Sequence, residues 1–285
     1  MSSTRTASLW LDFSRNEDSG ATALRIHRQE VPWRVLRGFP NASGETLAHL
    51  NNISGGILDS DHLQLKITVG YSAKAQLTST GATRIYRSRS PRHCSRAEID
   101  VEIGADGFLE YVPDALIPYA GSRYEQVTRI TLQPGAALFW WELIAPGREA
   151  SGETFRYARM SSSFVICGVD RALIEEHWDL EPEVRALGSP ARLGQYRHIA
   201  SLYVCQPGTP PARWRQLEAQ LDSQASQLSQ PGQALWGISS LGADGMVVRG
   251  LACNGRILME GLTGLWRAAK LSLCGRSATF PRKLY

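Results

Sequence analysis

Residues 63–69 read Leu-Gln-Leu-Lys-Ile-Thr-Val and residues 97–103 read Ala-Glu-Ile-Asp-Val-Glu-Ile. Apolar side chains at every second position mark a strand with one face in a core and one toward water. Further strand-like runs lie at Phe108 to Val112, Val127 to Leu132, Ala137 to Ile144, Thr154 to Arg159, Ser163 to Val169 and Met246 to Leu251. Short strands at such regular intervals predict a mainly β chain, built as a β-helix-like or stacked-sheet scaffold. Gly104-Ala105-Asp106-Gly107, Gln133-Pro134-Gly135 and Gly242-Ala243-Asp244-Gly245 each fall between two apolar runs, and each can close a hairpin or a corner. No fixed-period repeat of the solenoid kind is visible in the sequence.

Two segments change period. Trp214, Leu217, Leu221, Ala225 and Leu228 recur at steps of three and four, predicting a helix over 211–230 with Thr209 as its cap and Pro231-Gly232 as its stop. Leu262, Leu265, Trp266, Ala269 and Leu273 repeat the spacing, predicting a second helix over 262–274 capped by Thr263. The expected organisation is one domain over 1–285, β-rich to about residue 205, with the two helices near its end.

At 285 residues the chain is long enough to bury a large core. Its 43% hydrophobic and 20% charged content is that of a globular protein. The net charge of +4 is spread out, except where Arg84, Arg87, Arg89, Arg92 and Arg96 form a run interleaved with Ser88, Ser90, Pro91, His93 and Cys94. That composition suits a solvated loop, and an acidic protein partner above a nucleic acid. The first ten residues lack the apolar core of a signal peptide, and Ala136 to Ala145 is too short to span a membrane and carries Glu142. A cytoplasmic chain is therefore expected. Five widely spaced cysteines in that setting imply reduced thiols.

Motifs for catalysis are missing. No glycine-rich loop precedes a lysine and a hydroxyl, so nucleotide hydrolysis is not expected. The six histidines show no H-x-x-x-H or H-x-H pair, and His93-Cys94 is the one adjacent pair of soft ligands, so no tight metal site is predicted. No G-x-S-x-G elbow is present. What stands out is a set of polar residues set among glycines and prolines: Asp61, Thr78-Ser79, Asp114 after Pro113, Glu142 after Trp140-Trp141, and Arg148, Glu149 and Glu153. A carboxylate such as Glu142 inside an apolar run must be paired, hydrogen-bonded or bound to a cation.

These residues lie in blocks that resemble the urease accessory proteins of the UreD type, called UreH in some organisms: NNISGGILDSD (51–61), LTSTGATRIYRS (77–88), EYVPDALIPYAGSRY (110–124) and GREASGETF (147–155). Weaker likeness follows at 246–251, at Leu265-Trp266-Arg267 and at Pro281-Arg282. Asp59 and Ser60 stand where the family usually has a further glycine pair, and Ser79 and Gly81 replace residues more usual in the second block.

The resemblance implies a non-catalytic β-rich scaffold with a pair of helices. It implies UreF-type and UreG-type partners, the latter a GTPase, and docking on apo-urease. It also implies delivery of nickel through an internal path, with no tightly bound cofactor. Nickel binds nitrogen and sulfur sites tightly, so a path must use isolated oxygen donors to release it again. On that reading Asp61, Asp114, Glu142 and Glu153 line or gate a wet passage, and Arg148 orients Glu142 or Glu153 by a bidentate contact. Thr78, Ser79, Pro113, Gly147 and Gly152 build the supporting turns. The alternative from another class is a β-rich hydrolase acting on a carbohydrate, with Glu110 and Asp114 as acid and base.

Overall fold

The computed structural model describes residues 5–241 and 244–281. The strands are β1 (Arg5–Arg15), β2 (Thr22–Gln29), β3 (Trp33–Arg34), β4 (Phe39–Pro40), β5 (Thr46–Asn52), β6 (Asp61–Val69), β7 (Lys74–Ser79), β8 (Thr83–Ile85), β9 (Ser95–Ile103), β10 (Phe108–Tyr111), β11 (Leu116–Pro118), β12 (Arg123–Leu132) and β13 (Ala137–Ile144). They continue with β14 (Arg159–Cys167), β15 (Ala172–Leu180), β16 (His198–Cys205), β17 (Ala234–Ser240) and β18 (Gly245–Ala252). Helix α1 spans Pro211–Leu228 and α2 spans Gly255–Cys274. The chain is mainly β with its helices near the C-terminus, as expected.

The chain forms two sheets. The first has the order β15-β14-β12-β9-β6-β1-β2, and the path of the second runs β17-β18-β16-β13-β10-β7-β5-β3. In the first, β1, β6, β9, β12 and β14 are parallel. In the second, β5, β7, β10 and β13 are parallel. From β5 to β14 the long strands β5, β6, β7, β9, β10, β12, β13 and β14 alternate between the sheets, so this part of the chain winds as a coil. Neighbouring coils pair Leu63 with Ala97, Ala97 with Gln126, and Gln126 with Ser162, steps of unequal length. That inequality is why no repeat period shows in the sequence.

Gly104–Gly107 and Gln133–Ala136 are corners between sheets rather than hairpins. They stack with a third corner, Gly70–Ala73. In each the fourth residue's N–H returns to the first residue's carbonyl, at 3.1, 2.9 and 3.0 Å for Ala73, Gly107 and Ala136. The third residue of each has positive φ: Ser72, Asp106 and Gly135. Ser72 N donates to Ala105 O and Asp106 N to Pro134 O, tying each corner to the next. The third predicted turn lies between β17 and β18, which pair as an antiparallel hairpin; its Gly242 and Ala243 fall outside the described residues.

Leu9, Leu11, Phe13, Ile67, Val101, Leu138 and Trp140 are among the side chains filling the space between the sheets. The outer face of the second sheet carries Phe139, Trp141, Leu202 and Val248, covered by Trp214, Leu217 and Leu221 of α1 and Leu258, Leu262, Leu265 and Trp266 of α2. Burying each such side chain contributes about 1.5–3 kcal/mol.

Several boundaries differ from expectation. Helix α2 begins at Gly255, because Asn254 accepts a hydrogen bond from Ile257 N at 3.0 Å and Leu258 extends the apolar stripe backward. Thr263 is therefore interior. Helix α1 starts at Pro211 with Pro210 as its cap residue and no side-chain cap, so Thr209 does not serve. The predicted strand at Thr154–Arg159 is loop up to Ala158, since Phe155 has positive φ and its N–H turns back to Pro146 O. The β structure also resumes beyond residue 205, in β17 and β18.

Candidate functional site

The return connections from the second sheet to the first are long: 53–60, 80–94, 112–122 and 145–158. They lie side by side at the end opposite the tight corners, joined by an Ile57–Ile85 bridge, by β8 pairing with β11, and by Gly121 N donating to Arg156 O. All four sequence blocks fall on these connections and the strand ends feeding them.

A cavity of about 230 Å³ opens among these loops and reaches between the sheets. Ser79, Pro113, Asp114 and Glu142 line it, with Tyr111 and Gln126. Glu142 is on the inner face of β13, two residues beyond Trp140, between the apolar cluster that holds Trp140 and Ile130 and a second one toward the loop end that holds Ile144, Tyr124 and Met160. Gln126 Nε2 donates to its Oε1 at 2.8 Å. Burial raises the Glu142 carboxyl to about 7, opposed in part by that hydrogen bond. Asp114 and Ser79 hold each other: Asp114 N donates to Ser79 Oγ at 2.8 Å, and Ser79 Oγ donates to Asp114 Oδ2 at 3.3 Å. Trp141 Nε1 donates to Pro113 O at 2.7 Å and Thr78 Oγ1 to Val112 O at 2.8 Å, fixing the turn that presents Asp114.

Asp61 and Glu153 stand at turns outside this lining. Asp61 Oδ2 accepts the Leu58 N–H at 2.8 Å. Glu153 accepts two hydrogen bonds from Arg148, one of them from Nε at 2.9 Å, and one from Ala120 N at 3.1 Å. Arg148 thus makes its bidentate contact with Glu153, and its guanidinium lies 4.0 Å from the centre of the Tyr119 ring. The Arg148 contact holds the Glu153 carboxyl below its ordinary value. Gly147 has φ +135°, and a Cβ there would collide with the Glu153 carbonyl oxygen. Gly152, with φ +73°, closes the short 3-10 turn over 149–151.

Glu110 and Asp114 do not converge. Glu110 is fully buried on the helix side of β10, where it accepts hydrogen bonds from Trp266 Nε1, Lys270 Nζ and Gln76 Nε2, each at 2.9 Å. Lys270 also lies 3.1 Å from Glu45, which Arg276 approaches to 3.0 Å. This network is not among the expected site residues; its signal in the sequence is a lysine four residues after Trp266 on an apolar helix face. Gln126 was missed for another reason. The expected strand began at Val127, which cut off the inward positions Tyr124 and Gln126 of the true β12.

From Glu142 a polar row crosses the second sheet. Glu142 pairs with Ser201 of β16, and Ser201 with Arg249 of β18. Arg249 donates to Ser201 Oγ, to Tyr203 OH at 3.1 Å and to Glu176 of β15. Glu176 and Arg249 line a second cavity, of about 440 Å³, at the open edge between the sheets. Among the described residues, no group of three His, Cys, Asp or Glu side chains is placed to hold a metal ion together.

The profile of the UreD urease accessory protein family matches residues 5–284. The chain belongs to the UreD family. It is 39% identical over 277 residues to the urease accessory protein UreD of Herpetosiphon aurantiacus, covering 97% of this chain and 96% of that one. It is 31% identical to the UreD proteins of Cenarchaeum symbiosum (95% and 93% covered) and Pseudomonas paraeruginosa (97% and 93% covered). The family's defining description is that of an accessory protein of urease, and this UreD-family chain carries its four blocks on one end of the coil. No helix among its described residues is long and apolar enough to cross a membrane.

Proposed function

We propose that this UreD-family chain is a non-catalytic scaffold that, with UreF-type and UreG-type partners in the cytoplasm, passes nickel to apo-urease through the space between its two sheets. The observation that carries the reading is the convergence of Glu142, Asp114 and Ser79 on one cavity there. Its polar lining is two carboxylates, hydroxyls and the amides of Asn52 and Gln126, with one cation, Arg84. Such oxygen-rich surroundings hold a borderline divalent ion loosely, whereas clustered imidazoles or thiolates would retain it.

The course we infer runs from the loop-end cavity past Glu142 and along the Ser201–Tyr203 row to Glu176. Arg249 occupies the cation's place on Glu176, so the ion displaces the guanidinium as it leaves. Asp61 and Glu153 shape the mouth, with Arg148 fixing Glu153.

Urease activation measured in cells and with purified complexes tests this. Glu142→Ala should lower activation about tenfold or more while the complex still forms, the scale on which loss of one supporting contact weakens a metal site. Glu153→Ala should have the smaller effect of a loosened loop. Unchanged activation by both variants, with the complex intact, would refute the passage.

A further inference from the structure

Val31, Leu36, Ile53 and Leu58 are between 43% and 63% exposed. Ile53 N donates to Pro32 O, which sets Val31 beside Ile53. Arg84 donates to Gly55 O, so the arginine run begins next to that pair. His93 Nδ1 lies 2.8 Å from Asp59 Oδ2, which folds residues 88–94 against the turn carrying Leu58. Leu36 and Thr80 line a small neighbouring cleft, and Thr80 also lines the main cavity. The apolar residues and the arginines therefore share one face around the cavity mouth.

The acids of the same loops are already engaged within the fold. Asp59 meets His93, Asp114 meets Ser79, Glu149 meets His198 and Arg197, and Glu153 meets Arg148. Arg87, Arg89, Arg92 and Arg156 are exposed and form no ion pair among the described residues. The outward charge of the loop end is consequently positive. A face that combines exposed aliphatic side chains with unneutralised arginines has the composition of a protein interface, and arginine favours planar carboxylates over other partners by bidentate geometry.

We propose that the cavity-mouth face, centred on Ile53, Val31 and Leu58 and ringed by Arg84, Arg87 and Arg92, docks an acidic protein surface. The inference rests on the accessory role proposed above and assigns the side from which the cavity is sealed against water by a partner. The partner presents Asp and Glu around an apolar patch. Steering by the arginines makes its association salt-dependent.

The test uses the full-length chain with the UreF-type partner and with apo-urease, measuring affinity at low and high salt. Arg87→Glu/Arg92→Glu and, separately, Ile53→Asp should weaken binding to at least one of the two partners about tenfold or more. Wild-type affinity for that partner should fall as salt rises, and the charge-reversed double variant should lose most of that dependence. Tyr71→Asp, which alters an exposed side chain on the opposite, tight-corner end, should leave both affinities within about twofold. Circular dichroism and melting temperature check that each variant is folded, and a variant that fails is replaced by Val31→Asp or Arg89→Glu.

Retention of both partners by both loop-end variants within about twofold overturns the proposal, as does a loss with Tyr71→Asp of equal size. A labelled RNA oligomer that binds the wild type and is released by the arginine reversals, while both proteins are retained, would assign the face to nucleic acid and overturn it too. Failure of the passage is read separately: Glu142→Ala leaves this face intact and reports on activation with the complex already formed.

Discussion

The two ends of the coil solve the same problem, bringing the chain from one sheet to the other, in opposite ways. At one end Gly70–Ala73, Gly104–Gly107 and Gln133–Ala136 are four-residue corners stacked on one another by backbone hydrogen bonds. They leave no room for side-chain chemistry. At the other end the connections run to eight residues or more, carry their own short strands β8 and β11, and surround the cavity. Parallel coils make the division possible, since every coil enters each end in the same direction. One end can then be minimal and conserve order while the other accumulates polar residues at matching heights.

The comparison can be broken at several points. The largest effect should come from the frame that both ends share. Lys270→Ala strands the carboxylates of Glu110 and Glu45 in a dry interior, and loss of one member of a buried ion network costs about 3–5 kcal/mol. Chemical denaturation should show one transition shifted for the whole molecule; separate transitions for the two ends would contradict a common frame.

Gly147→Ala should come next, at about 3 kcal/mol, because the new Cβ meets backbone that cannot move. At the tight end, Gly135→Ala should cost only about 1 kcal/mol beside it. The atom it meets there is the Asp106 carboxylate, a side chain able to turn away, so the strain that remains is the positive φ. Thermal melts of the two variants rank the ends directly, and a reversed order would show the loop end to be the more pliant in its backbone.

A further effect should be a pH dependence confined to the cavity. Burial lifts Glu142 from an ordinary glutamate value near 4.5 to about 7. Between those values the folded chain holds a proton that the unfolded chain has released, so this group's contribution to stability falls as pH rises through that window and is level above it. Glu142→Gln should flatten the decline in melting temperature between about pH 4.5 and 7, compared with wild type. The ionised carboxylate is also the form that holds a cation, so activation in purified complexes should rise through about pH 7 in wild type and lose that step in Glu142→Gln.

How much of this was legible beforehand follows from the kind of information each element needs. The inward positions of β6 and β9 announce themselves because Leu63, Leu65, Ile67 and Ala97, Ile99, Val101 alternate with polar or charged partners. Strand β13 was bounded correctly by its apolar run, and Glu142 drew attention as a carboxylate inside it. By contrast β15 and β16 are hidden by polar residues at inward positions, Glu176 and Ser201, whereas β1 lies outside the expected strands although Ala7, Leu9, Leu11 and Phe13 alternate cleanly along it, and β2, β5, β7 and β17 lie outside them as well. The pairing of Arg148 with Glu153 rather than Glu142 depends on a loop path that closes over Gly147, and nothing in the order of residues distinguishes the two acids.

The sequence by itself determined that this chain would be β-rich, where its helices lie, and which family blocks carry its polar residues, because side-chain periodicity and turn chemistry are local properties. Only the tertiary structure decided that the strands run parallel, that the corners stack at one end, and that Ser79, Asp114, Gln126 and Glu142 meet in one cavity. Strand direction and the convergence of side chains from different coils depend on contacts between residues far apart in the chain. Unequal coil lengths hide those contacts from any reading of spacing.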